Sequence, residues 1–308
     1  MIRNKYNRKN KNFYSISDKS KKIYFKANDC WIDSSIWIKI ADDKELTYIV
    51  AEENNIKIPK TIYLDRKDLD DFNFNKIKIT YPIVSKPVNW AHWDWVALNI
   101  TNKEELKKGI LYSFQNKNTT KIVIQEQIKG DDYRLIIIWW KFIAASKRIP
   151  PSVVWNWTST ILELIEEENN QQWVSQKDHD WIKNKITIDK EAEKCIATKW
   201  YSLNSILKKW EKIFVRDNWN LSTWWISVDV TDIVHQEVID EAIRFSNILW
   251  LGLSWVDIMS KDISQSLMET NGAIIEINNT PWLKMHHFPS KWKPRNVAKA
   301  LLNYIFKN

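Results

Sequence analysis

A chain that mixes helices and strands turns mainly on glycine, which alone enters the region of positive φ without a β-carbon clash. This chain of 308 residues holds 4 glycines and 20 tryptophans. Ordinary usage near 7% would supply about 22 glycines, and tryptophan is ordinarily rare. The surplus tryptophans stand where glycines belong. Trp139-Trp140 separates two strand-like runs, Arg134 to Ile138 and Lys141 to Ser146, in the layout of a tight hairpin. Trp155-Asn156-Trp157 and Trp224-Trp225 lie in polar, turn-like surroundings, and Trp90, Trp93 and Trp95 alternate through a loop that follows a strand. We read most of these positions as glycine in the living cell, with UGA decoded there as glycine and rendered in the sequence as tryptophan. The competing reading is a genuinely tryptophan-rich protein that binds sugars or stacks on bases.

The length suits one large or two to three small packed units. No run of about 18 apolar residues is present, so no membrane-spanning helix is expected. The stretch from Met1 to Lys22 is basic and lacks an apolar core, unlike a secretory signal. Cys30 and Cys195 stand far apart without a metal-ligand spacing, which fits a reducing cytoplasm and no structural disulfide. The net charge of +8 is spread along the chain and by itself selects no partner.

Residues 1–30, rich in Lys and Asn, read as a loose basic arm, and 31–80 as a helical and linking segment with a helix from Asp42 to about Asn54. A strand is expected over Ile77 to Lys86, a helix over Asn102 to Phe114 and a strand over Lys121 to Gln127. Further strands are expected at 134–138, 141–148, Glu211 to Arg216, Val256 to Met259 and Ala273 to Ile277. Helices are expected at Thr160 to Glu168, Lys190 to Lys199, His235 to Leu249 and Pro294 to Phe306, the last with proline at its start. This interleaving predicts an α+β or α/β fold.

The sharpest constellation runs Ile83-Val84-Ser85-Lys86-Pro87, then Val88 to Val96. With glycine at 90, 93 and 95 it becomes a strand, a lysine and a glycine-rich loop, which together offer bare backbone N–H groups and a point charge to a phosphate. The second is Asp257, Glu276 and Asn278, oxygen-bearing side chains on or beside short apolar strands, with Glu276 and Asn278 on one strand face.

In these motifs the chain resembles the ATP-grasp superfamily as found in cyanophycin synthetase, and more distantly the glutathione-synthetase half of bifunctional glutathione enzymes. The likeness runs from about Ser34 to the C-terminus. It takes in Ala41 to Thr47, Asp132-Tyr133-Arg134, Val215 to Trp225, Ile275 to Asn278, Pro281 to His286 and Pro294 to Ala298. It implies two α+β subdomains gripping ATP: a small lid subdomain at 81–133 and a large subdomain at 134–308 with the metal and substrate sites. By the same resemblance Lys44 and Lys86 hold the ATP phosphates, joined by the loop Asn89, Trp90, Ala91, His92 and Trp93. Gln125, Glu126, Gln127 and Ile128 form the hinge strand for adenine, with Gln125 where the family has Glu, and Asp132 accepts from the ribose. Asp257, Glu276 and Asn278 bind Mg2+ or Mn2+.

The implied reaction is ligation of a carboxylate to an amine through an acyl phosphate, with Arg216, Arg148 and Lys86 carrying the developing charge. His92 and the pair His286-His287 lie in the lid loop and near the substrate end, where a satisfied or solvent-facing histidine is as fitting as a catalytic one. Cyanophycin synthetase has in addition a leading domain and a trailing domain that adds arginine. This chain stops at Asn308, directly after the ATP-grasp unit, so the arginine-adding reaction is not expected. Where the family has an Arg/Gly/His-rich stretch, this chain has Gln171-Gln172-Trp173-Val174-Ser175, which removes charge that could hold an acidic substrate, and the expectation is a single amide bond on an amino acid or short peptide. The expected partners are small-molecule or peptide acids and amines, with neither membrane nor nucleic acid, and an oligomer is compatible. The rival classes are a non-catalytic nucleotide-binding homologue and a basic, aromatic-rich nucleic-acid binder.

Overall fold

The computed structural model describes residues 2–5, 13–18, 21–26, 32–73, 77–88, 95–170, 186–216, 226–279 and 281–307. Three short strands open the chain: β1 (Ile2–Lys5), β2 (Phe13–Ser17) and β3 (Lys22–Lys26). They pair antiparallel in that order. The expected loose arm is therefore a small sheet. The physical reason is aromatic: Tyr14 stacks on Phe25 with ring centres 5.1 Å apart, and Phe25 is buried in a core shared with the C-terminal helix. Helices α1 (Ser35–Asp42) and α2 (Lys44–Glu53) follow. Between them Asp43 caps α2, its carboxylate accepting from Glu45 N and Leu46 N at 3.0 and 3.2 Å.

The next elements are β4 (Thr61–Asp65), β5 (Ile83–Pro87), β6 (Ala97–Ile100), α3 (Lys103–Ser113) and β7 (Lys121–Glu126). The strands form an antiparallel sheet of order β4-β7-β5-β6. Leu106 and Ile110, one helical turn apart, bring α3 onto Ile83, Ile122 and Ile124 of this sheet. The small sheet thus recruits β4 from the segment read as a linker. Its apolar residues are too few to show an alternating pattern, and it is fixed by pairing with β7.

After β7 the chain crosses into a second sheet at Gly130. There φ is +155°, and a β-carbon would lie 2.3 Å from the Ser260 carbonyl carbon. Strands β8 (Asp131–Ile138) and β9 (Lys141–Ile149) then form the expected hairpin. A separate small core follows, built from β10 (Ser152–Val154), α4 (Ile161–Asn169), α5 (Lys190–Ala197) and β11 (Lys212–Phe214) around Ile161, Ile165, Ile196 and Val215. The remainder is β12 (Ile226–Asp229), α6 (Gln236–Ile248), β13 (Leu253–Ser260), β14 (Ala273–Asn279), α7 (Lys284–His287) and α8 (Val297–Lys307). The large sheet has the antiparallel order β12-β9-β8-β13-β14.

Strand alternation gives the large sheet two different faces. Tyr133, Leu135, Ala145, Val256 and Ile277 face Val238, Ala242 and Phe245 of α6. On the opposite face, Ile136, Ile138, Leu253 and Trp255 meet Val297, Leu301 and Ile305 of α8. No helix among the described residues is long and apolar enough to cross a membrane.

The backbone answers the tryptophan question residue by residue. Trp95, Trp139, Trp140, Trp157, Trp200, Trp210, Trp250 and Trp292 all have φ between 44° and 87°. Among the described residues the other non-glycine positions of positive φ are all asparagine, the residue that best tolerates that region after glycine. Trp139 and Trp140, at 44° and 59°, meet the positive-φ requirement of a type I′ hairpin turn at both central positions. Trp200, 96% exposed, and Trp292, 78% exposed, gain little burial in return, whereas Trp139 stacks on Trp140 and Tyr304, and Trp157 and Trp210 pack with Trp155. The left-handed backbone marks these as glycine positions whatever the rings touch. A residue with a β-carbon pays roughly 1–2 kcal/mol there, against about 0.5–1 kcal/mol of chain entropy for glycine. Trp200→Gly and Trp292→Gly are therefore each expected to stabilise the fold by about 0.5–1 kcal/mol. The urea midpoint of the double variant measures this, and an unchanged or lowered midpoint contradicts it.

Candidate active site

The face of the large sheet that meets α8 at one end carries charge at the other. The strand registers align Asp229, Ser146, Arg134, Asp257 and Glu276 in one row across β12, β9, β8, β13 and β14. A second row places Ser227 opposite Arg148 and Arg148 opposite Asp132. Directly paired residues share a face, so these side chains converge. Arg134 Nε donates to Asp257 Oδ1 at 2.7 Å and its Nη2 to Asp257 Oδ2 at 2.8 Å. Arg148 Nη2 donates to Asp132 Oδ1 at 2.7 Å and to Asp257 Oδ2 at 3.4 Å. All four residues are buried, and their formal charges cancel. Burial pushes the Asp132 carboxyl up to about 6 in spite of Arg148. Burial acts the same way on Asp257, yet Arg134 and Arg148 hold it below the usual carboxylate range.

The opposite wall comes from α2 and the small sheet. Lys44, in the first turn of α2, lies 3.6 Å from Glu276 Oε1. The helix is fixed there by Tyr48, whose hydroxyl donates to the Ile275 carbonyl at 2.8 Å. Lys86, on β5, donates to Gln125 Oε1 at 3.4 Å, and Gln125 in turn donates to Thr61 Oγ1 at 2.9 Å. Burial and the neighbouring Lys44 pull Lys86 down to about 8, while Glu276 opposes the shift. Lys44, Lys86 and Glu276 thus act on one another, and Asp257 also feels Lys44. Two lysines thus meet the acidic end of the large sheet between the two sheets.

Other expected site residues fall differently. Asn89, Trp90, Ala91, His92 and Trp93 lie outside the described residues, as does the stretch 171–175. Gln125 is buried, its side chain turned to Lys86 and Thr61. Glu126, Gln127 and Ile128 do lead from the small sheet to the large one, with Glu126 N donating to Lys60 O and Gln127 N to Pro82 O, both at 2.9 Å. Asp132, expected at the ribose, is buried and paired with Arg148. Arg216 is buried beside the small core of α4 and α5, bonded to Asp189 and the Thr187 carbonyl.

Asp257, expected as a metal ligand, has both oxygens taken by arginines. Among the described residues no three His, Cys, Asp or Glu side chains are placed to hold a metal ion. Glu276 and Asn278 fit a hard divalent ion that draws its remaining ligands from phosphate and water, while Asp257 already accepts from two arginines. Arg134, to which the sequence reading gave no role, is the residue it missed. The available signal was an arginine followed by the apolar run Leu135 to Ile138, a placement that demands a buried acidic partner.

The architecture matches a bifunctional glutathione synthetase from Pasteurella multocida with a TM-score of 0.73 and 20% identity, over 97% of this chain and 41% of that one. The chain has the ATP-grasp fold. The ATP-grasp chain is 32% identical over 269 residues to cyanophycin synthetase of Synechocystis sp., covering 87% of this chain and 31% of that protein. Cyanophycin synthetase of Trichormus variabilis is 33% identical over 273 residues, covering 88% and 30%. A glutathione biosynthesis bifunctional protein of Clostridium perfringens is 30% identical over 298 residues, covering 96% and 38%. The ATP-grasp chain therefore resembles the ATP-grasp region of cyanophycin synthetase and spans about a third of the length of these curated relatives. No family model matches it.

Two outcomes follow from the crevice. Asp257→Ala strips Arg134 of its partner inside the sheet, and the metal-free protein is expected to lose about 3–5 kcal/mol of stability. A residue serving only as a metal ligand would leave that denaturation curve unmoved or shifted upward. Lys86 binds its proton more weakly folded than unfolded, so the unfolded chain holds the extra proton between pH about 8 and 10.5. Stability is expected to rise with pH across that window. In Lys86→Met the rise should flatten, as read by thermal melts from pH about 7 to 10.5.

Proposed function

We propose that the chain is an ATP-dependent carboxylate–amine ligase of the cyanophycin synthetase-like kind, joining an amino acid or short peptide to an amine. The observation that carries the reading is the meeting of Lys44 and Lys86 with Glu276 and the buried arginines between two sheets joined at Gly130. A triphosphate laid in that crevice restores full charge to Lys86 and gives both ammonium groups an anionic partner. The hinge strand Gln125 to Ile128 borders the position of the adenine. Glu276 and Asn278 would hold Mg2+ or Mn2+, which when bound neutralises phosphate charge.

In the first step a carboxylate oxygen of the acid attacks the γ-phosphorus, and the bond from that phosphorus to the bridging oxygen breaks with its electron pair leaving on ADP. In the second step the neutral amine attacks the acyl carbon, the tetrahedral intermediate collapses, phosphate departs, and the nitrogen gives up a proton. Arg148 supports both steps. Its Nε and Nη1 are buried without a hydrogen-bond partner among the described residues. Unpaired donors of this kind cost about 1–3 kcal/mol each, and oxygens of the acyl phosphate supply the missing acceptors. The buried Asp132 and Asp257 hold the guanidinium in place so that it need not reorganise as charge develops.

Protein made with glycine at the positive-φ tryptophans is expected to release ADP only when both an acid and an amine from an amino-acid panel are present. Heavy oxygen placed in the substrate carboxylate should appear in the released phosphate. Lys86→Met and Arg148→Met should each lower kcat by about 100-fold or more. Release that ignores the added acid and amine, or phosphate without label, sinks the reading.

A further inference from the structure

Trp255 lies within β13 and is not among the tryptophans of positive φ, so the backbone does not decide this position as it decides Trp139 or Trp200. Its surroundings carry more information. Residues two apart on a strand share a face, which sets the Trp255 indole on the same face as Asp257. The register places it opposite Ile136 of β8 and Asn278 of β14. The side chain is buried, and the Arg134 guanidinium carbon stands 3.4 Å from the centre of its ring, a cation–π contact.

The indole also reaches the candidate metal ligands. Asn278 lies between Trp255 and Glu276, and its amide satisfies both neighbours in one orientation only. In that orientation its nitrogen donates to Glu276 Oε1 at 3.3 Å and its oxygen accepts from Trp255 Nε1 at 2.5 Å. A hard divalent cation takes oxygen ligands, so the oxygen is what Asn278 has to offer one. The partial positive charge of the indole N–H opposes a cation at that same atom. The ring is held by the guanidinium on its face, by Asn278 at its N–H and by the apolar core it shares with α8.

We propose that residue 255 decides whether the site takes a divalent cation: tryptophan holds the Asn278 oxygen on its indole N–H, and glycine releases it. Glycine is the residue that the UGA reading gives to most tryptophan positions. This inference rests on the metal part of the ligase reading and deepens it. With glycine the N–H is gone, the Asn278 oxygen is left to pair with a cation, and a space the size of an indole opens between Arg134 and Asn278.

The test measures the affinity of the full chain for ADP by calorimetry, with and without Mn2+. The gain that Mn2+ brings reports the cation site. Trp255→Phe keeps a ring beside Arg134 but lacks the N–H, and it should enlarge the gain about threefold to tenfold. Adding Asn278→Ala to that variant should return the gain to the parent value or below. Trp255→Gly should enlarge it at least as much as Trp255→Phe. Added indole should enter the vacated space and reverse the effect in Trp255→Gly, while leaving Trp255→Phe unmoved. A gain no larger in Trp255→Phe than in the parent, or one that persists with Asn278→Ala, overturns the proposal. The phenylalanine pair decides the matter even where Trp255→Gly does not fold. If the gain grows as expected but ADP release never depends on an acid and an amine, this inference stands and the ligase reading falls. If the Trp255 parent releases ADP with acid and amine and its Mn2+ gain equals that of Trp255→Phe, the ligase reading stands and this inference falls.

Discussion

Two arginines and two aspartates taken out of water in the middle of a β-sheet hold this molecule in one arrangement. An unpaired buried charge costs several kcal/mol, so Arg134 can sit on β8 only with Asp257 opposite it on β13, and Arg148 on β9 only with Asp132 beside it. A slip of one residue between any two of these strands would move a charge to the α6 face among Leu135, Val256 and Phe245. The network therefore fixes the register of the central strands. It also leaves Glu276 at the open edge and the spare donors of Arg148 pointing away from its aspartate partners.

The crevice depends on that rigidity because its other wall belongs to a different sheet. Lys86 and Lys44 oppose each other electrostatically, and Glu276 offsets part of the repulsion. A polyanion can offset more. The connection between the sheets is four residues, 127–130, ending at a glycine whose backbone lies against Ser260 and leaves no room for a β-carbon. A tight hinge between a small sheet and a large charged one suits closure over a phosphate chain while keeping the two lysines aimed at the same space.

The tryptophans at positive φ tie the chemistry to the turns. A turn that demands the left-handed region selects glycine whatever lies around it, so the backbone alone reveals Trp139, Trp140, Trp200 and their companions as glycine positions. Trp95, eight residues after the end of β5, has φ of 68° and belongs to the same set. The hairpin between β8 and β9 aligns Arg148 with Asp132, so the glycine question reaches the ion network as well.

Sequence determined much of this outcome. The helices α2, α3, α4, α6 and α8 were legible from caps and apolar spacing, and β7, β8, β9, β13 and β14 from apolar runs bounded by turns. Lys44, Lys86 and Glu276 could be singled out because their motifs are local and the chemistry of each is carried by a few adjacent residues. Pairing was not legible. Which face of β8 carries charge, that β4 joins the small sheet, and that Asp257 answers an arginine are facts about strands far apart in the chain. Desolvation gives the same answer for each of them: a buried charge takes the partner that the sheet brings to it, and sequence spacing does not encode that partner. His286 and His287 show the limit most plainly, since two neighbouring histidines become one buried ring and one ring bonded to Ala298 N only through what the fold packs around each.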